Sequence, residues 1–233
     1  MKFNKNMLRL YAVTDRAWVG RQTLIEQIAD AIDGGVTIVQ LREKDLTDDE
    51  LIREAESVLA LCRSKGVPLI INDNYEVALK IGADGVHVGI EDAPVAKIRR
   101  RAGSGFIIGA TAKTVEQAKN AESAGADYIG VGAVFPSPTK KNAIRITNAQ
   151  LEEIVSSVNI PAVAIGGITL ENADEINCRG LSGIAVVSAV FSAKDIKKTS
   201  ALLRKKADRL VTMFTTSSSR WFSARMRMES SVL

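Results

Sequence analysis

Gln40, Arg42 and Lys44 recur at every second position of the stretch Val36-Thr37-Ile38-Val39-Gln40-Leu41-Arg42-Glu43-Lys44. Side chains alternate along a strand, so positions 36, 38, 40, 42 and 44 share one face, an apolar core that ends in a cationic, anion-binding rim. The plain alternative is a strand running out into a solvated loop, where Arg and Lys are ordinary. Asp73 and Asp92 add two carboxylates with no Cys or second His beside them. Carboxylates alone suit a hard cation such as Mg²⁺, which keeps several waters and bridges protein to phosphate oxygens. A helix cap would equally employ Asp73, and the first turn of a helix Asp92. Gly166-Gly167, before a helix expected to begin near Glu171, can turn backbone N–H groups toward a phosphate, and Ser188 can add a hydroxyl. Ser137, Thr139, Lys140 and Lys141 form a second polar, cationic segment, which Pro136 and Pro138 also fit to a surface loop. His87 is the single histidine, set mid-strand as a satisfied core residue or, in the alternative, facing a ligand; no Ser-His-Asp or Cys-His pair can be built around it.

Short apolar runs at 8–13, 36–41, 68–71, 85–88, 106–109, 128–131, 161–165 and 183–187 must position these groups. Helical periodicity falls between them, near 22–33, 48–65, 74–81, 92–101, 114–124, 147–157, 171–178 and 194–212, with Thr47, Asp73 and Thr147 as caps. Continuous apolar strands alternating with helices predict a parallel sheet covered by helices. Glycine turns at Gly34-Gly35, Gly82, Gly125 and Gly180 precede alternate strands, as a repeat of two strand-helix units requires. Eight units in about 200 residues is the size of a (β/α)₈ barrel. A doubly wound sheet is the runner-up, but Thr14-Asp15-Arg16 stands where its glycine-rich turn belongs. In a barrel, function gathers past the C-terminal strand ends. Gln40 to Lys44, Asn72-Asp73, Gly89 to Asp92, Thr111, Ser137 to Lys141, Gly166-Gly167 and Val187-Ser188 all fall there, whereas Asp84 and Asp127 precede strands and are assigned to turns.

Composition narrows the class. The net charge of +4 resides in the tail: residues 204–233 carry +5 and the remainder −1, so the body is no polyanion-binding surface. Cys62 and Cys178 make no CxxC and are expected as buried hydrophobes of a reducing cytoplasm. The start of the chain lacks the apolar run of a signal peptide, and no apolar stretch is long enough to span a bilayer. A cytoplasmic protein that binds neither nucleic acid nor membrane is expected; a homo-oligomer is left open.

Gln40-Leu41-Arg42-Glu43-Lys44, Ile71-Asn72-Asp73, Asp84-Gly85-Val86-His87-Val88-Gly89, the loop 136–141 and Ile165-Gly166-Gly167-Ile168 resemble thiamine phosphate synthases in order and spacing, over about residues 8–195. The resemblance implies a single-domain (β/α)₈ barrel, a transferase that joins a hydroxymethylpyrimidine diphosphate to a thiazole phosphate or its carboxylated form. Pyrophosphate leaves first and the thiazole nitrogen captures the pyrimidine carbocation. By the resemblance Gln40, Leu41, Arg42, Glu43, Lys44, Asn72, Thr111 and Lys140 hold the pyrimidine diphosphate, with Arg42, Lys44 and Lys140 assisting the leaving group. Asp73 and Asp92 hold one Mg²⁺; Ser137, Pro138, Thr139, Gly167, Val187 and Ser188 hold the thiazole phosphate.

Three departures stand out. Thr111 replaces the usual Ser, Ile90 replaces the usual Gln, and residues beyond about 205 do not match. The barrel is therefore expected over 1–203, with 204–233 a basic, Ser- and Arg-rich tail, disordered or peripheral. A thiazole tautomerase on the same barrel is the nearest rival, but such relatives place a His where Thr111 stands. A catalytically silent sensor of phosphorylated ligands is the rival from another class.

Overall fold

The computed structural model describes residues 2–136 and 145–214. Eight strands close a barrel in chain order: β1 Leu10–Val13, β2 Ile38–Leu41, β3 Leu69–Asn72, β4 Gly85–Val88, β5 Ile107–Ala112, β6 Tyr128–Gly132, β7 Ala162–Ile165 and β8 Leu181–Val186. Every pairing is parallel, β1 with β8 included. Helices α1 Leu24–Asp33, α2 Asp48–Lys65, α3 Tyr75–Ile81, α4 Val95–Ala102, α5 Val115–Ser123, α6 Asn148–Ser156, α7 Ser188–Phe191 and α8 Ile196–Met213 surround it. The predicted strands and most predicted helices are therefore present, with ends moved by a few residues.

Strand alternation divides the core in two. Leu10, Val39, Leu41, Ile71, Val86, Ile108 and Val131 face the helices, where they pack with Ile28, Val58, Ile98 and Leu203. Tyr11, Val13, Ile38, Ile70, Ile107, Tyr128 and Val163 fill the barrel itself. Thr23, Thr47 and Thr147 start their helices in reciprocal capping boxes with Glu26, Glu50 and Gln150, which satisfies N–H groups that would otherwise lack partners.

Four sequence expectations are corrected. Val36 belongs to the helix-facing cluster, because β2 starts only at Ile38 and the residues before it are not in strand alternation. No α-helix covers 171–178; a single 3₁₀ turn, Ala173–Glu175, stands there, and Ile176 and Cys178 pack inward on an extended run. Asp73 does not cap α3, since the Asn74 side chain accepts the Val77 N–H at 3.0 Å. The barrel does not end at 203: α8 continues to Met213, burying Ala207 and Leu210, with Arg204 Nη1 donating to the Gly35 carbonyl at 3.1 Å. The tail from 215 onward lies outside the described residues.

Asp84 and Asp127 act as expected at the opposite edge. Asp84 accepts the Leu69 N–H at 2.9 Å, and Asp127 accepts that of Ile108 at 2.7 Å while pairing with Arg99. Both cysteines are buried free thiols. Among the described residues no helix is long and apolar enough to cross a membrane.

Candidate active site

The exits of β1 and β2 are tied together first. Thr14 is fully buried; its N–H donates to the Gln40 carbonyl and its Oγ1 accepts the Arg42 N–H, both at 2.9 Å. Those two bonds hold the chain that carries Arg42 and Lys44 at the rim of the barrel. Leu41 is buried toward the helices, so only its backbone can meet a ligand. The Glu43 side chain is only 3 % exposed and its carboxylate accepts from Arg16 Nε at 2.8 Å. Burial pushes that carboxyl up despite the cation. Arg16 reaches on to Glu54 of α2, so it fastens the turn after β1 to the turn after β2 and the helix behind them.

At the next two exits lies the acidic pair. Asp73 stands at φ 62°, the left-handed region that L side chains avoid, and no other non-glycine residue described does so. This twist follows β3 directly, and its N–H still donates to the His87 carbonyl at 2.8 Å. Asp92 precedes α4 and accepts the Gly89 N–H at 2.7 Å. Burial, together with the neighbouring Asp92 carboxyl, raises the Asp73 pKa to about 6. Asn72 Nδ2, donating at 2.6 Å, and the Lys44 ammonium oppose the rise. Two adjacent carboxylates that compete for one proton are a donor set that a hard divalent cation satisfies. The described residues offer no third carboxylate, His or Cys to the pair, which leaves the remaining ligands to water and substrate.

Gln40 and Thr111 turn inward instead of outward. Gln40 is buried, and its Nε2 donates to Tyr11 Oη at 2.7 Å. Thr111 Oγ1 lies 3.1 Å from His87 Nε2. His87 is thus the satisfied interior residue, touching Thr111 but reached from within the barrel.

On the other side of the mouth, Gly167 lies against the loop that leaves β6. A Cβ on it would stand 2.2 Å from the Pro136 carbonyl oxygen, and its φ of +65° would strain any other residue. Phe135 N–H donates to the Gly166 carbonyl at 3.0 Å, while Ile146 N–H and Arg145 Nε donate to the Ala133 and Val134 carbonyls. The glycine pair therefore holds the chain just before the segment 137–144, and Ala133 and Val134 hold the chain just after it. Ser137, Pro138, Thr139, Lys140 and Lys141 lie outside the described residues. Val187 and Ser188 open the one-turn helix α7 after β8, next in strand order to the Gly166-Gly167 turn after β7.

Sequence reasoning missed Tyr11, Tyr128, Thr14 and Arg16. For Tyr128 a signal existed: its partner across the β5–β6 ladder is Gly109, a pairing of large with small.

A closed eight-strand barrel with cations, a carboxylate pair and a glycine-anchored loop at the C-terminal strand ends defines an enzyme-type barrel for phosphorylated ligands. The thiamine monophosphate synthase family model matches residues 10–190, and the chain belongs to that family. The thiamine-phosphate synthase of Ruminiclostridium cellulolyticum is 47 % identical over 194 residues, 83 % of this chain and 92 % of that one. A synthase from Methanobrevibacter smithii is 45 % identical over 199 residues, 85 % and 95 % of the two chains. Among solved structures, the thiamine phosphate pyrophosphorylase of Pyrococcus furiosus matches with a TM-score of 0.81 and 39 % identity, over 88 % of this chain and 98 % of that one.

Proposed function

We propose that this chain is a transferase that joins hydroxymethylpyrimidine diphosphate to the thiazole phosphate, giving thiamine phosphate and pyrophosphate. Family membership sets the reaction. The observation that supports the assignment of residues is the convergence of Asn72, Asp73 and Asp92 at the exits of β3 and β4, with the Lys44 charge from the exit of β2 acting on Asp73.

The reaction breaks a C–O bond to pyrophosphate before the thiazole nitrogen attacks, so charge accumulates on the leaving group. Arg42, Lys44 and Lys140 neutralise that charge, and donors fixed before the reaction cost no reorganisation when it occurs. Asn72 orients the Asp73 carboxylate. Gln40 and Thr111 hold the pyrimidine over the interior of the barrel. Ser137, Thr139, Gly167 and Ser188 hold the thiazole phosphate, so the nucleophile is positioned before the cation forms and water has less chance to capture it. Asp73 and Asp92 would hold Mg²⁺, which when bound supplies further charge neutralisation to the diphosphate. No histidine base is required, because the nucleophile is a ring nitrogen with a free pair and the departing group is an anion.

The test is turnover with both phosphorylated precursors in Mg²⁺, reading thiamine phosphate and pyrophosphate together. Stoichiometric appearance of both is expected; neither appearing would overturn the proposal. Thr111 in place of a histidine disfavours the tautomerase reading, and the same assay separates a silent sensor.

A further inference from the structure

Five side chains from five strands form one hydrogen-bonded chain through the barrel: Gln40 on β2, Tyr11 on β1, Tyr128 on β6, His87 on β4 and Thr111 on β5. The links are Gln40 Nε2 to Tyr11 Oη at 2.7 Å, Tyr11 Oη to Tyr128 Oη at 2.8 Å, Tyr128 Oη to His87 Nδ1 at 3.2 Å and His87 Nε2 to Thr111 Oγ1 at 3.1 Å. Its two ends are the groups assigned above to the pyrimidine ring. We propose that Tyr11, Tyr128 and His87 are positioning residues, a one-directional relay that fixes Gln40 as an acceptor and Thr111 as a donor toward the substrate.

The direction follows from counting protons. A carboxamide nitrogen only donates, so Tyr11 accepts from Gln40 and must spend its single O–H on Tyr128. Tyr128 then spends its own on His87 Nδ1. With Nδ1 accepting, the neutral ring carries its proton on Nε2, which donates to Thr111 Oγ1. The Thr111 hydroxyl proton is left for a ligand, and so is the Gln40 carbonyl oxygen. Burial holds both phenols well above their ordinary pKa, so each keeps the proton the count requires.

The packing is shaped around the chain. A Cβ on Gly109 would lie 2.1 Å from Tyr128 Cζ and 2.5 Å from His87 Nδ1, and one on Gly130 would lie 3.2 Å from His87 Cε1. Phe3 stacks on Tyr128 with ring centroids 6.0 Å apart. Stability alone does not call for this arrangement: an apolar filling of the same shape is close to neutral, whereas each polar group buried without a partner is costly. A buried polar chain that terminates at two rim residues has a use at the rim.

The inference rests on the proposed pyrimidine site for its kinetic consequence but not for its spectroscopic one. His87 is the only histidine, so ¹⁵N-histidine labelling gives one pair of ring-nitrogen signals. In the free protein at pH 8 the expected spectrum has a protonated Nε2 and an unprotonated Nδ1. Tyr128→Phe removes the donor to Nδ1 and is expected to mix the tautomers. The same variant should raise KM for the pyrimidine diphosphate about tenfold and leave KM for the thiazole phosphate unchanged, the factor one hydrogen bond commands. If Tyr128→Phe fails to fold, Tyr11→Phe serves, because it leaves Gln40 Nε2 without its acceptor and Tyr128 Oη without its donor, so that Tyr128 can accept from His87 Nδ1 instead. A protonated Nδ1 in the wild-type protein overturns the relay, as does a folded variant in which both KM values rise equally or neither moves. A wild-type protein without synthase activity would sink the proposed function while leaving the tautomer measurement to judge the relay.

Discussion

Asp73 and Asp92 face each other across the exits of β3 and β4, and the Asp73 carboxyl is raised from 3.8 to about 6 because it is buried and has Asp92 as a carboxyl neighbour. The folded protein thus holds that proton more tightly than the unfolded chain. The contribution to stability is full below about pH 4 and is lost as pH rises through about 6. Asp92→Asn keeps an acceptor for the Gly89 N–H and removes the like charge. Without divalent cations, its Tm should exceed that of the wild type by about 2–4 °C at pH 8 and match it at pH 4. Thermal melts across that range check this; parallel curves would show that the carboxyls do not interact.

The same pair predicts a metal effect with a defined pH sense. Mg²⁺ must displace the shared proton, so it should raise the wild-type Tm at pH 8 and much less at pH 5, and should raise that of Asp92→Asn little at either. Chelator should reverse the gain.

Loss of charge from the rim is expected to act on turnover. Arg42→Ala and Asp73→Asn should each lower kcat by at least about tenfold, on the order of 1.4 kcal/mol in barrier height, with the far-ultraviolet spectrum unchanged. Unchanged kcat in folded protein would remove these residues from the assigned roles.

Gly167→Ala tests the anchor of the loop after β6. The added methyl meets the Pro136 carbonyl, so the variant should lose about 1–3 kcal/mol of stability by denaturant titration and raise KM for the thiazole phosphate more than that for the pyrimidine. Equal effects on both substrates would locate the damage elsewhere.

Truncation separates the barrel from the residues after α8. Ending the chain after Phe214 should preserve activity, because the strands, the rim and α8 all precede that point. Ending it after Leu203 strips Ala207 and Leu210 from the core and Arg204 from Gly35, and should leave the protein unfolded at 37 °C.

Much of this was legible in the sequence for definite reasons. Apolar runs of strand length, glycine turns before alternate strands and threonine caps report local preferences, and these agree with the barrel at most repeats. The rim residues were legible because they come directly after strands, a property of order alone. Asp73 was obscured by its neighbour: either Asp73 or Asn74 could cap α3, and only the backbone twist at φ 62° decides that Asn74 does. The helix expected over 171–178 shows the opposite failure, an amphipathic pattern satisfied by a 3₁₀ turn and an extended run packed inward. The boundary at 203 failed because charge on the outer face of α8 masked the buried Ala207 and Leu210. The relay was hidden altogether, since its five members are spread over β1, β2, β4, β5 and β6 and meet only when the barrel closes.

Turnover of the two precursors tests the assignment of this rim most directly. Purified protein supplied with hydroxymethylpyrimidine diphosphate, thiazole phosphate and Mg²⁺ should release one pyrophosphate for each thiamine phosphate formed, and Asp73→Asn should slow both together. Absence of thiamine phosphate from folded wild-type protein, with both substrates recovered intact, would contradict it.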